Sequence, residues 1–123
     1  MYLIGIYSHV AEKYSRKIAM KQILFPITVV NNPNKYFGEY VGRPSILGNP
    51  YTRGTREEVI DAYNDYIRQQ IAEKNTDIVE ELERLYKIAK IEPLRLICWC
   101  APLPCHANII KNIILEHHDS KLW

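Results

Sequence analysis

One apolar run, followed by a short proline-rich loop and an amphipathic stretch, constrains the fold most. Residues 94–100 (LRLICWC) are apolar apart from one arginine, which predicts a buried strand. Pro102 and Pro104 prevent the following loop from continuing the sheet. From about Cys105 to His117 apolar residues then recur at helical spacing. A strand that leads through a tight loop into a helix is typical of α/β proteins.

The other segments predict the same class. Residues 23–30 are rich in β-branched side chains and predict a strand, and residues 38–43 predict a shorter one. Thr55 and Glu58 match a helix capping box ahead of an apolar stripe, and a further helix should start near residue 76 or 77. We therefore expect an α/β fold with a small, partly parallel sheet and helices packed on it.

The length of 123 residues fits a single domain. We expect residues 23–123 to form it and residues 1–22 to be an N-terminal extension packed on it, with a short strand at 2–7 and a helix at 10–22. No run reaches the roughly 18 apolar residues that a membrane span needs, so we expect no membrane partner. Three cysteines within eight residues are a poor secreted disulfide framework, which favours reduced thiols and a cytoplasmic location.

The segment CWCAPLPCH carries the most chemical information. Cys98 and Cys100 are two residues apart on the predicted strand, so they should point to one face. Cys105 and His106 should begin a helix, where free amides and the helix dipole stabilise a thiolate or hold an anion. The pKa of Cys105 should therefore fall if the thiol is accessible. Ligands of open α/β sheets bind at such strand ends.

Three interpretations of these residues stay open. In the first, Cys105 is a nucleophile or anion-site residue, with His106 as base or donor and Cys100 beside them. In the second, Cys98, Cys100, Cys105 and His106 bind zinc as a Cys₃His site. In the third, the cysteines are small core residues, Cys98 above all, and Trp99 packs beside them. Apart from zinc in the second interpretation, no cofactor is expected.

The segment YVGRPSILGNPY, residues 40–51, is the second unusual feature. Gly48, Asn49 and Pro50 predict a tight turn in which Gly48 is free to take a positive φ. Such a loop can place an arginine fork and exposed amides around a phosphate or carboxylate. The candidate anion-binding residues are therefore Gly42, Arg43, Gly48 and Asn49. The alternative is an ordinary turn in which Arg43 pairs with an acidic residue.

Together the two segments resemble an uncharacterised family, domain of unknown function 4326, whose members are compact and often encoded by phages and prokaryotes. Its members combine a Gly-Arg-Pro…Leu-Gly-Asn-Pro loop with a Cys-Trp-Cys-Ala-Pro-Leu-Pro-Cys-His segment, and the resemblance covers about residues 27–115. Members often have Asp where Asn108 stands here. The resemblance implies a shared signature and no activity. That signature consists of Gly42, Arg43, Gly48, Asn49, Pro50, Cys100, Pro104, Cys105 and His106.

Three hypotheses of function follow. The first is a small cytosolic protein that binds a phosphorylated small molecule, with a nucleotide or nucleoside as the first choice, where the Arg43 and Cys105 loops meet. In its enzymatic form, Cys105 with His106 processes that ligand. The second is a zinc-stabilised nucleic-acid-binding module that uses residues 1–56, which carry eight Lys or Arg against two Asp or Glu. The third is a phage or viral interaction protein without catalysis. A homodimer is compatible with each.

Overall fold

The structure, a computed structural model, describes residues 23–101 and 103–123. The expected extension at residues 1–22, with its strand and helix, lies outside the described residues. The described elements are, in chain order, β1 (Ile27–Asn31), β2 (Glu39–Tyr40), α1 (Arg56–Ala72), α2 (Thr76–Ala89), β3 (Leu94–Cys98) and α3 (His106–Asp119).

The three strands form one parallel sheet in the order β1-β3-β2. The central strand β3 pairs with β1 from Ile27↔Leu94 to Asn31↔Cys98, and with β2 through Glu39↔Leu96 and Tyr40↔Ile97. The chain passes from β2 through α1 and α2 before it reaches β3, because parallel neighbours need a long crossover. The expected α/β class is confirmed, and the three described strands are all parallel.

All three strands are shorter than the sequence predicted, and β2 covers only two residues of the predicted 38–43. β1 begins directly after Pro26, which has no N–H to donate to a neighbouring strand. β3 ends at Cys98, so Cys100 lies in the loop beyond it. The expectation that Cys98 and Cys100 share one strand face is therefore wrong.

The core lies between the sheet and the helices. α2 and α3 pack on β3 and on each other, α3 also packs on β1, and α1 packs on both other helices. Leu94, Leu96 and Cys98 alternate along β3 and belong to this core, so the core interpretation of Cys98 is confirmed. Ile97 points to the opposite face yet is buried, because the segment before β2 covers it. A Cβ on Gly38 would lie 3.2 Å from its Cδ1.

The expected capping box starts α1. The Glu58 N–H donates to Thr55 Oγ1 over 3.1 Å, and the Thr55 N–H donates to Glu58 Oε1 over 3.2 Å. These bonds satisfy amides that the first helical turn leaves without partners. In the two described ranges, no helix is both long and apolar enough to span a bilayer.

The C-terminal end of α3 is tied to the residues that follow it. His117 is buried, and its ring stacks on Trp123 with a centroid distance of 3.4 Å. Its Nδ1 accepts the Leu122 N–H over 2.9 Å, and the Trp123 indole donates to Glu83 Oε1 over 3.0 Å. The last residues are thereby fixed against α2 and α3.

Candidate functional site

The loops after β2 and β3 form one cleft at the C-terminal edge of the sheet. The cleft has a volume of about 320 Å³, and both Arg43 and Cys105 line it. The expectation that the two sequence segments share one hollow is therefore confirmed. Its position agrees with the rule that ligands of parallel sheets bind outside the carboxyl ends of the strands.

Gly42 and Gly48 let the first loop fold closely onto itself. A Cβ on Gly48 would lie 3.0 Å from Arg43 Cα, and a Cβ on Gly42 would lie 2.5 Å from the Tyr40 hydroxyl oxygen. Gly48 is not among the described residues with a positive φ, so that expectation is wrong. Close approach of the Arg43 backbone explains the glycine instead.

Asn49 fixes this loop to α1. Its Nδ2 donates to the Val59 carbonyl over 3.1 Å, and its Oδ1 accepts the Tyr51 N–H over 2.9 Å. The buried Tyr63 hydroxyl holds the same loop by donating to the Leu47 carbonyl over 2.7 Å. Since both polar atoms of the Asn49 side chain already serve the loop, we assign this residue to shaping the cleft.

Two arginines bring positive charge to the cleft. Arg43 is exposed beside Gly42, and Arg56, the first residue of α1, donates from Nη1 to the Pro104 carbonyl over 3.3 Å. Neither guanidinium forms an ion pair with a carboxylate within residues 23–101 and 103–123. The alternative in which Arg43 pairs with an acidic residue thus finds no partner there.

Sequence reasoning missed Arg56, although one signal was present. A cation in the first turn opposes the positive N-terminal end of the helix dipole and is unfavourable there unless it has another role.

Two exposed aromatic side chains also line the cleft. Trp99 is 56% exposed and Tyr51 is 43% exposed. The expectation that Trp99 packs in the interior is wrong, because β3 ends one residue earlier and the indole follows the loop outward. Tyr51 rests edge-on against Tyr66, with ring centroids 6.1 Å apart. The cleft therefore presents flat apolar surfaces next to its guanidinium groups.

Cys105 is the N-cap of α3, but its thiol is buried. The Ala107 N–H donates to its Sγ over 3.3 Å, and the thiol makes a hydrogen bond to Cys98 Sγ over 3.1 Å. Burial, followed by the bond to Cys98, raises the pKa of Cys105 to about 12. The expected fall of this pKa required an accessible thiol. That condition is not met, and desolvation outweighs the amide at the helix start.

His106 joins the two loops of the cleft. Its Nε2 lies 2.7 Å from the Val41 carbonyl oxygen, which can only accept, so Nε2 carries the proton. In the neutral ring the lone pair is then on Nδ1. Burial lowers the pKa of His106, which favours the neutral ring. Cys105 and His106 are thus a neutral thiol and a neutral imidazole, not an ion pair.

Asn108 completes a capping box with Cys105. The Cys105 N–H donates to Asn108 Oδ1 over 2.9 Å. The Asn108 side chain therefore caps α3.

The zinc interpretation of Cys98, Cys100, Cys105 and His106 gains no support from the geometry of the described residues. Across the described ranges, no three His, Cys, Asp or Glu side chains converge as metal ligands would. The Cys98 and Cys105 sulfurs face each other, His106 Nε2 is bound to a carbonyl, and Cys100 lies beyond the strand.

A three-stranded parallel sheet with a loop-built cleft at its carboxyl edge defines a small α/β protein with a candidate ligand site. The chain belongs to the family described as "Domain of unknown function (DUF4326)", which matches residues 29–116 and confirms the resemblance.

A relative is the "Uncharacterized 12.4 kDa protein in nrdA-td intergenic region" of Enterobacteria phage T4. It is 34% identical over an alignment of 83 positions, which covers 64% of this chain and 59% of the phage protein. The match thus spans less than two thirds of that relative. No solved structure matches the chain.

Proposed function

We propose that the cleft binds a phosphorylated small molecule and that a nucleotide is the favoured class. One observation carries the proposal: Arg43 and Arg56, without carboxylate partners among the described residues, line the same cleft as Tyr51 and Trp99. Guanidinium forks match phosphate oxygens in shape and charge. Exposed aromatic faces suit the planar ring of a base.

The size of the cleft narrows the class of ligand. At about 320 Å³ it lies near the lower end of the range of small-molecule sites, roughly 300–1,000 Å³. Val59 and Ile60 of α1 supply apolar contacts in the same cleft. These features favour a single nucleotide over a dinucleotide or a nucleic-acid strand.

Binding has more support than nucleophilic catalysis. A thiol whose pKa is about 12 is almost wholly protonated at neutral pH, and the protonated form is a poor nucleophile. The neutral His106 ring lines the cleft, and its Nδ1 is the basic atom of the pair. In the enzymatic form of the proposal, His106 therefore acts as a general base, with Cys100 and Cys105 beside it.

A titration with inorganic phosphate and a panel of nucleoside mono- and diphosphates tests the proposal. We expect saturable binding with a change in Trp99 fluorescence, recorded in a Trp123→Phe background. Arg43→Ala should weaken binding by about 10- to 100-fold, since a charge-assisted bond contributes roughly 1.5–3 kcal/mol. Arg53→Ala is the matched control, because Arg53 is exposed in the neighbouring loop outside the cleft.

Two results would contradict the proposal. The first is that no member of the panel binds the unmodified protein. The second is that Arg53→Ala weakens binding as much as Arg43→Ala, which would indicate attraction by overall charge. A parallel titration with single-stranded DNA at increasing salt tests the nucleic-acid hypothesis, because phosphate-backbone binding falls steeply with salt.

A further inference from the structure

The two buried cysteines form a pair that the proposed binding function does not use. We propose that Cys98 and Cys105 are a modification site, at which a hydroperoxide converts the two thiols into a reversible disulfide within the chain. Their Sγ atoms are 3.1 Å apart, and both residues line the cleft. A disulfide has an S–S distance of about 2.05 Å, so the sulfurs need to approach by roughly 1 Å.

The backbone holds both sulfurs in place. Cys98 is the last residue of β3, in the middle of the sheet, and is paired with Asn31 of β1. Cys105 is fixed by the capping box, in which its N–H donates to Asn108 and its Sγ accepts the Ala107 N–H. The pair is therefore preorganised by the fold.

Cys100 is placed differently. It lies in the loop beyond β3, where its carbonyl accepts the Leu103 N–H over 2.9 Å, and it is only partly buried. Among the described contacts, its sulfur forms no hydrogen bond comparable to that of the pair. Cys100 is near enough for its charge to raise the pKa of Cys105, but it lacks the sulfur–sulfur hydrogen bond of the pair. We therefore expect Cys100 to remain a free thiol when the pair is oxidised, and it provides the internal control.

The oxidation balances with one hydroperoxide for each pair. After it loses its proton, Cys105 Sγ attacks a peroxide oxygen, so that an S–O bond forms, the O–O bond breaks and hydroxide (or alkoxide) leaves and takes up that proton. Cys98 Sγ then attacks Cys105 Sγ, so that the S–S bond forms and the S–O bond breaks. The departing hydroxide takes up the proton of the Cys98 thiol and becomes water. Two thiols are oxidised and one peroxide is reduced.

The environment of Cys105 sets the pH dependence of this reaction. The reacting species is the thiolate. Burial, the hydrogen bond to Cys98 and the charges of Cys98 and Cys100 raise the pKa of Cys105 to about 12, against the lowering effect of the Ala107 N–H. The thiolate fraction therefore grows about tenfold with each pH unit across the neutral range. The oxidation should be slow at pH 7 and markedly faster at pH 8.5, while the Ala107 N–H stabilises the thiolate once it forms.

The test uses the reduced full-length chain and its Cys100→Ser variant. Each is treated with hydrogen peroxide, unfolded, alkylated with iodoacetamide and analysed by mass spectrometry. We expect the oxidised Cys100→Ser chain to be monomeric, to have lost two hydrogens and to take up no alkyl group. Dithiothreitol should restore both alkylation sites. In the unmodified chain, only Cys100 should be alkylated after oxidation.

Three results would overturn the inference. The first is that the Cys100→Ser variant retains both thiols under conditions that oxidise the unmodified chain. The second is that this variant forms only disulfides between chains. The third is that Cys100 takes part in the disulfide of the unmodified chain. Cys98→Ala and Cys105→Ala should each abolish the internal disulfide, and circular dichroism checks their folding. The Cys100→Ser result decides the matter even if one of these buried variants unfolds.

One consequence rests on the proposed function. If a nucleotide occupies the cleft, it should slow the oxidation, because both sulfurs line the same cleft. Oxidation without protection by nucleotide would contradict the binding proposal and leave the disulfide standing. The absence of oxidation in the ligand-free chain would remove the disulfide and leave the binding proposal untouched.

Discussion

Removal of one buried hydroxyl tests how the cleft loop is held. Tyr63 on α1 is fully buried, and its hydroxyl donates to the Leu47 carbonyl over 2.7 Å. Leu47 lies between Arg43 and Asn49 in the loop and is 1% exposed. Tyr63→Phe keeps the ring in its contacts and deletes only the donor.

The expected loss of stability follows from this burial. A buried carbonyl that loses its partner costs about 1–3 kcal/mol, because water cannot replace the missing bond. Since both residues are almost inaccessible, we expect a value near 2 kcal/mol. For a domain of this size, the unfolding midpoint should fall by about 8 °C.

Urea denaturation followed by circular dichroism measures the effect, with Tyr66→Phe as the matched control. Tyr66 is half-buried on the same helix and contacts the Tyr63 ring, with centroids 6.1 Å apart. Its hydroxyl has no hydrogen-bond partner in the part of the chain that the structure describes. The control should change the free energy of unfolding by less than about 0.5 kcal/mol.

Equal effects of the two substitutions would refute this reasoning. They would mean that loss of the hydroxyl is compensated by water or by movement of the loop, so that the bond to Leu47 does not hold the cleft. A changed denaturant dependence in Tyr63→Phe alone would instead indicate a looser native state.

Two further predictions concern local stability. Thr55→Ala should lower the free energy of unfolding by about 1 kcal/mol through loss of the capping box, whereas Thr52→Ala in the preceding loop should change it little, as urea titrations would show. Burial lowers the pKa of both His106 and His117. Below pH 6.5 the unfolded chain therefore binds protons that the folded chain does not. The free energy of unfolding should fall there with a slope of at most about 1.4 kcal/mol per pH unit for each histidine. Urea midpoints that do not decrease from pH 7.5 to pH 5.5 would contradict the second prediction.

Local sequence patterns were sufficient for much of the fold. The capping box at Thr55 and the start of α2 at Thr76 depend on bonds between residues only a few positions apart. The class of the fold follows from the order of such segments. The lengths of the strands were less predictable, because pairing with a neighbouring strand decides where a ladder ends.

The sequence predicted the location of the candidate site better than it predicted the chemistry of that site. Arg43 and Cys105 do line one cleft, as strand-end loops of a parallel sheet would. A low pKa of Cys105 was expected only for an accessible thiol, and this thiol is buried and faces Cys98 in the core, so its pKa is raised. A sequence pattern indicates where a helix starts, but it does not indicate whether solvent reaches the side chains there.

The sequence alone thus determined which segments are helices and strands, and which two loops carry polar and sulfur chemistry. The tertiary structure decided which of these side chains contact one another and which are buried away from solvent. His106 reaches a carbonyl 65 positions away, and Arg56 reaches one 48 positions away. Short-range bonds are encoded within a few residues, whereas burial and protonation depend on atoms that only folding brings together.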